Sequence, residues 1–361
     1  MLKRWLPSIL LCFSLFSSAD QTTNLYRVLV PVGDQSAKSR DSGIDQAFSS
    51  MLIKLSGDSQ IMQSPLLQPF LTDPKAFLDS VGFSQVDTAS LDSQNAMALD
   101  VKFDRTFVDK LLKQAQVPIV STQRPNFLVW LMVDDLDHGR RVIHESLAQQ
   151  ADPEEPLYEV LSAFDQAMHG RAVSYFFPSY DLEDQLSVSA NEAWALRADR
   201  LNKASQRYAA DGWFAVRVFK ASDGQVRGAW AYQEIGKRKM DDFQGESLVS
   251  LMDNSVNAVL DTLLKSYTYI PQLETNRLLA QIEGVDNFST YQSAEAQLEK
   301  LEMIESLQLY SVNKDELVVA IETNVRADLL HAELLRSGFL EANKSSDNRS
   351  IGRLTYRWVN Q

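Results

Sequence analysis

Cysteine is all but missing from this 361-residue chain, which has one, Cys12. Because Cys12 lies in a leader expected to be removed, disulfides, thiolate zinc sites and a cysteine nucleophile are excluded together from the mature form. Histidine is scarce too: His138, His144, His169 and His331 are scattered, little material for a metal or triad enzyme. The G-x-S-x-G, H-E-x-x-H, Walker A and G-x-G-x-x-G patterns are all absent. No later apolar run approaches the ~20 residues that span a bilayer as a helix. Positive charge is in deficit, 35 Lys and Arg against 48 Asp and Glu, a net charge of −13. That sign repels phosphate backbones and anionic headgroups, so nucleic acid is not an expected partner. The one basic cluster, Lys237-Arg238-Lys239, follows a predicted strand and reads as a solvated turn.

What is present begins with a leader. Lys3 and Arg4 form a basic start, Trp5 to Phe16 an apolar stretch, and Ser17-Ser18-Ala19 a small-residue cleavage site. Residues 1–19 are therefore expected to be a secretory signal peptide cut after Ala19. Leu11 precedes Cys12 where a lipoprotein requires a small residue, so lipidation is not expected. Losing two cations and no acid takes the mature charge from −13 to −15. With no disulfides, an exported protein of this kind is held by its hydrophobic core alone, and 45% hydrophobic content supplies one.

The patterning predicts a mixed α+β protein of three modules. In residues 20–124, a β-rich run Leu25 to Val32 precedes a helix from Ser36 with Ile44, Ala47, Phe48, Met51, Leu52 and Leu55 on one face, stopped by Gly57. Met97, Leu99, Val101 and Phe103 alternate as a half-buried strand, followed by a helix capped by Asp104. In residues 125–270, Phe127 to Val133 reads as a central strand buried on both faces, with Asn191 to Ala209 as one helix and a hairpin turning at Ala221 to Gly224. Residues 271–361 show the order βαββαβ of the ferredoxin-like fold, ending in the alternation Leu354, Tyr356, Trp358.

Val28 to Asp58 resembles a Gram-negative envelope family catalogued as domain of unknown function 2066. The likeness rests on Val30, Pro31, Val32, Asp34, Gln35, Ser36, Arg40, Asp41, Ala47, Lys54, Leu55, Ser56, Gly57 and Asp58. It implies an exported protein with no assigned activity and no catalytic residues to transfer. The middle module is also similar in outline to the N-terminal α/β domain of TolB-like periplasmic proteins, a fold-level analogy.

Asp134, Asp135, Asp137 and His138 are the densest set of potential metal ligands, at the end of a buried strand where α/β proteins often place functional groups. They lack calcium-loop spacing and read more simply as a solvated loop, so neither a metal nor a cofactor is expected. Gly57-Asp58-Ser59 is similar to the start of a GDSL esterase block, but it follows a helix, where Gly57 serves as a C-cap. Ser311 and Lys314 fit S-x-x-K by chance, and Asp328 and His331 read as a surface pair on one helix. The leading expectation is a non-catalytic periplasmic docking or accessory protein whose partner is another envelope protein. Two alternatives stay open: an envelope hydrolase with two carboxylates about 5 to 9.5 Å apart, and a small-ligand or cation-binding module centred on Asp134 to His138.

Overall fold

A computed structural model describes residues 25–85, 97–121, 124–135, 138–153, 155–220, 225–234, 237–245, 247–301, 303–342 and 353–359. The leader and the polar stretches 87–95, 221–224 and 343–349 lie outside them. The architecture is mixed α+β, with ten α-helices and four sheets among the described residues.

The first sheet is antiparallel in the order β1 (Arg27–Pro31), β3 (Met97–Phe103), β2 (Leu78–Gln85). Helix α1 (Ala37–Ser56) begins where the Ser36 side chain accepts the Ser39 amide, and it ends at Gly57 with φ 70°. Its Ala47, Phe48, Met51 and Leu52 pack on Val28, Val30, Leu99 and Val101. Helix α2 (Arg105–Ala115), capped by Asp104, joins the same core. The opposite face is left to polar pairs such as Lys102–Asp79. Strand β2 is absent from the sequence-based expectation, since its burial pattern gives no clean alternation. Phe107 of α2 points away from this core and is 55% exposed.

The central sheet runs β10 (Lys237–Gly245), β9 (Val226–Glu234), β8 (Gly212–Lys220), β5 (Asn126–Asp135), β6 (Gly139–Val142), with β7 (Ser174–Phe176) also on β5. β5 is parallel to β8 and β7 and antiparallel to β6. As expected, its run is buried on both faces: Phe127, Val129 and Leu131 face α4 (Pro156–Gly170) and α8 (Leu248–Leu263), while Leu128, Trp130 and Met132 face α6 (Ala190–Trp194) and α7 (Ala198–Ser205). Burying each large apolar side chain contributes roughly 1.5–3 kcal/mol. Two expectations are corrected. Asn191 to Ala209 is not one helix, because Leu196 at φ 49° breaks it in two. Lys237-Arg238-Lys239 opens strand β10 rather than a turn, with Lys237 opposite Glu234. The short helices α3 (Glu145–Gln149) and α5 (Leu182–Ser187) complete this region.

The last sheet has the order β13 (Ile304–Asn313), β14 (Glu316–Thr323), β12 (Asn276–Glu283), β16 (Arg353–Trp358), β15 (Leu340–Ala342). β14 lies between β12 and β13 and is antiparallel to both, the split arrangement that the βαββ order implies. Helices α9 (Phe288–Glu299) and α10 (Ala327–Arg336) contribute Ala294, Leu298, Leu330 and Leu334 to its core. One strand exceeds expectation. The short β15 follows α10, and β16 inserts between it and β12, parallel to β12.

The sheets meet at a joint. β4 (Ile119–Val120) pairs with β11 (Thr268–Tyr269), and the Ser121 amide donates to the Tyr267 carbonyl at 3.1 Å. Ser121 Oγ donates to the buried Glu333 of α10 at 2.9 Å, and Arg336 both binds Glu333 and lies over the Tyr267 ring. The Gln116 amide nitrogen reaches the Pro271 carbonyl.

Candidate functional site

The candidate ligand set falls at the C-terminal end of β5, but its members do not converge. Asp134 is opposite Arg140 in the β5–β6 register and binds its Nε at 3.1 Å. A carboxylate matched to a guanidinium in this way has little left to offer a cation. Asp135 is opposite Gly139 on the strand, and its side chain, like all of Asp137, lies outside the described residues. His138 is exposed at the turn. Among the described residues no group of three His, Cys, Asp or Glu side chains is placed to hold a metal ion.

What the strand end does assemble is an arginine–aromatic cluster, which the sequence reasoning missed. Arg140 lies 4.9 Å and Arg217 5.7 Å from the centre of the Trp194 ring, which is 5.9 Å from Phe219. The break at Leu196 leaves the Trp194 carbonyl to accept Arg217 Nη1 at 3.0 Å. Arg217 in an otherwise apolar strand, Trp213 to Val218, was the available signal.

A second group lies on the other face of the central sheet. Asp165 and His169 of α4, with Tyr175 of β7, border a cleft of about 440 Å³ walled by Tyr158, Leu161 and Phe177. Tyr175 donates to Asp165 Oδ1 at 2.8 Å, and His169 Nδ1 lies 3.1 Å from Asp165 Oδ2. The hydrogen bond to Asp165 raises the His169 imidazole above its ordinary value, against burial and the nearby charge of Lys54. Burial alone would raise the Asp165 carboxyl, but the bonds from His169 and Tyr175 outweigh it and hold it low. Burial, with the Asp165 charge, pushes Tyr175 up. His169 is therefore predicted to titrate above 6.5 by NMR, and Asp165→Asn to move it back down. The pair's contribution from His169 is full below the ordinary histidine pKa and lost as pH rises through the elevated one. The contribution from Asp165 is full above the ordinary carboxyl pKa and lost as pH falls through the depressed one. The stability difference between wild type and Asp165→Asn should thus shrink on the alkaline side of the His169 titration. A His169 pKa unmoved by Asp165→Asn would remove the pairing.

The remaining sequence candidates have structural work. Gly57 is the left-handed C-cap expected of it, and a Cβ there would meet Val120 Cγ2 at 2.5 Å. The Ser59 hydroxyl donates to Asp261 Oδ2 at 2.6 Å and the Ser59 amide to Asp261 Oδ1, so this serine is part of a carboxylate-centred structural network. Asp261 also receives Arg171 Nη2 at 2.7 Å, and the same nitrogen donates to the Gly57 carbonyl while Nη1 donates to Asn257. Arg171 is 2% exposed and ties α1, α4 and α8 together. Arg124 Nη2 adds a bond to the Lys54 carbonyl. Another buried carboxylate, Asp184, accepts from the Tyr180 amide, the Tyr208 hydroxyl and Arg207 Nη1. Asp328 and His331 do not pair: Asp328 binds Arg326, and His331 meets the Tyr356 hydroxyl at 2.8 Å.

Strand edges form the last candidate. β13 and β10 are the long edge strands, of ten and nine residues. Five of the nine residues of β10 are charged, which blunts pairing with another chain. β13 has one charge, Glu305, and exposes Leu309, Tyr310 and Val312 at 53, 64 and 56%. Register shifts at Ile304/Ser306 and Leu309/Ser311 divide it into two regular stretches, Ser306 to Leu309 and Ser311 to Asn313.

Residues 19–121 match a family described as a domain of unknown function, DUF8605. The match spans 103 of 361 residues, the first sheet with α1, α2 and β4. The expected membership of domain of unknown function 2066 is overturned by this finding. The residues behind that resemblance serve local needs that recur in many strand–helix units: Asp34 accepts the Ser36 amide, Ser36 caps α1, Ala47 packs on the sheet and Gly57 ends the helix. No curated protein matches the chain. A solved structure described as an uncharacterized protein is similar over 40% of this chain and 99% of its own, at 10% identity and a TM-score of 0.16. No helix among the described residues is long and apolar enough to cross a membrane.

Proposed function

We propose that the chain is an exported, non-catalytic docking protein of the cell envelope that receives an extended segment of a partner on the free edge of β13. The observation that carries this reading is the exposed Leu309, Tyr310 and Val312 on a ten-residue edge with one charge. An unpaired edge offers main-chain donors and acceptors for strand addition, and apolar side chains beside it supply selectivity. Helix α9, which packs on β13, carries Glu295 and Glu299, and the chain as a whole is acidic. A partner segment with alternating apolar residues and flanking Lys or Arg suits this edge. The leader of residues 1–19 supports the envelope as the compartment.

A photo-crosslinking residue in place of Tyr310, in the full chain expressed with its leader in a Gram-negative host, tests the reading. The expected result is an adduct in the envelope fraction whose crosslinked peptide is an extended basic segment. Leu309→Lys with Val312→Lys should reduce that adduct at least tenfold. Crosslinking at Leu29 of β1 in preference to β13 would move the docking surface elsewhere, and a chain retained in the cytoplasm with its leader uncut would overturn the compartment.

A further inference from the structure

The cleft beside α4 is walled by three half-buried aromatic side chains, Tyr158 of α4, Tyr175 of β7 and Phe177 just after it. On the helix, Tyr158, Leu161, Asp165 and His169 recur at steps of three and four, so they share one face. Tyr175 is opposite Phe127 in the parallel register, which puts its ring on the α4 side of the sheet. Phe177, two residues on, packs against the same core. The Tyr175 and Phe177 rings are 5.5 Å apart at 75°, and Tyr175 stands at 82° to the buried Phe164. They make a fixed corner, not a stack.

Among the described residues, Asp165 and His169 are the charged groups that border this cleft. The Tyr175 hydroxyl holds Asp165 Oδ1, so the carboxylate stays beside the rings whether or not His169 is on it. His169 is held less firmly. Its Nδ1 meets Asp165 Oδ2 and the Asp165 carbonyl, and its side chain is 73% exposed. An exposed pair four residues apart on a helix is weak, so an outside cation displaces the imidazolium at little cost. Lys54 of α1 also acts on His169 and disfavours the imidazolium. With His169 displaced, the cleft carries the single negative charge of Asp165 among aromatic rings, whose faces attract cations. Its other acceptors are few, the Ser162 hydroxyl and the Gln166 amide oxygen. A primary ammonium is strongly hydrated and would leave donors unmet there, whereas a fully methylated one has no donors to satisfy.

We propose that this cleft binds a methylated ammonium group, its head among Tyr158, Tyr175 and Phe177 and its charge on Asp165 in place of His169. The inference is independent of the β13 edge. The head has two possible sources, a free small molecule or a choline-type lipid, and the chemistry of recognition is the same for both.

The test is a calorimetric titration of the full mature chain with choline, with the uncharged tert-butyl analogue of choline, and with benzoate. Choline is expected to bind at about millimolar affinity, as suits so small a ligand, and the uncharged analogue about tenfold more weakly. Asp165→Asn should weaken choline about fivefold, and so should Phe177→Leu, which keeps an apolar wall but removes the ring. His169→Ala, at an exposed position, should instead tighten it about threefold below the His169 titration. For the same reason choline affinity should rise by a similar factor as pH climbs through that titration, and saturating choline should lower the His169 pKa read by NMR. Phosphatidylcholine vesicles that sediment the chain assign the head to a lipid surface, and a chain left in solution while free choline binds assigns it to a small molecule. Binding of the uncharged analogue or benzoate as tight as that of choline would overturn the proposal. So would a choline affinity indifferent to both Asp165→Asn and His169→Ala.

Discussion

An Arg171→Met variant is expected to lose about 3 kcal/mol of stability, because removing one partner of a buried ion pair strands the other. The figure is at the low end of the usual range since Asp261 is 27% exposed and recovers some hydration. The substitution removes three bonds, to the Gly57 carbonyl, Asn257 and Asp261, from a side chain that is almost wholly buried. Methionine fills much of the volume but donates nothing, so the Gly57 carbonyl and Asn257 lose their partner. For a cooperative unit of this size the midpoint of thermal unfolding should fall by about 5–10 °C. Lysine at 171 should not restore it, since one ammonium cannot reproduce the two-pronged geometry of the guanidinium. The same variant should speed hydrogen exchange at the Ser59 amide, which is held by Asp261. A melting point within about 1 °C of wild type would mean that the network is decorative.

Asp184→Ala is expected to be similarly damaging, at about 3 kcal/mol. This carboxylate is fully buried, and it satisfies the Tyr180 amide, the Tyr208 hydroxyl and part of Arg207. Arg207 retains Asp181, whose carboxyl it draws down to about 2, so the arginine stays paired at the surface. The damage therefore arises from the half-buried Tyr180 amide, left without its acceptor, and from the Tyr208 hydroxyl, left with Ser179 alone. Asn at 184 should recover part of the loss, because its amide oxygen accepts one of the two. Chemical unfolding of wild type, Asp184→Ala and Asp184→Asn separates these outcomes, and equal stability of the three would show that water replaces the carboxylate.

What the sequence discloses depends on how completely an element is buried. β5 is legible because both of its faces are covered, which demands an unbroken apolar run. α1 is legible at both ends because Ser36 and Gly57 act on the nearest turn. β2 and β10 are not: as edge strands they bury little, and their charged or glycine-containing sequences show no period of two. The split of α6 from α7 is hidden for another reason, since Leu196 takes a positive φ where the freed Trp194 carbonyl meets Arg217. The candidate residues divide in the same way. Asp134 is visible in the sequence as part of an acidic group, yet its role comes from Arg140 across a hairpin. Arg171 meets Gly57 and Asp261 across separations of 114 and 90 residues, beyond any local pattern.

The pairing of β4 with β11 gives the chain a nested layout. Ile119 and Tyr269 are partners, so the backbone enters and leaves the central sheet at points only ~5 Å apart. Everything between them leaves and returns through that doorway, and Arg171 and Asp261 fasten it to α1 and the turn after it. The outer parts of the chain, before Ser121 and after Tyr267, touch each other there without the help of what lies between. In genetic terms the central region is an insertion between two neighbouring points of the chain, stitched to the first module by Arg171 and Asp261 as well.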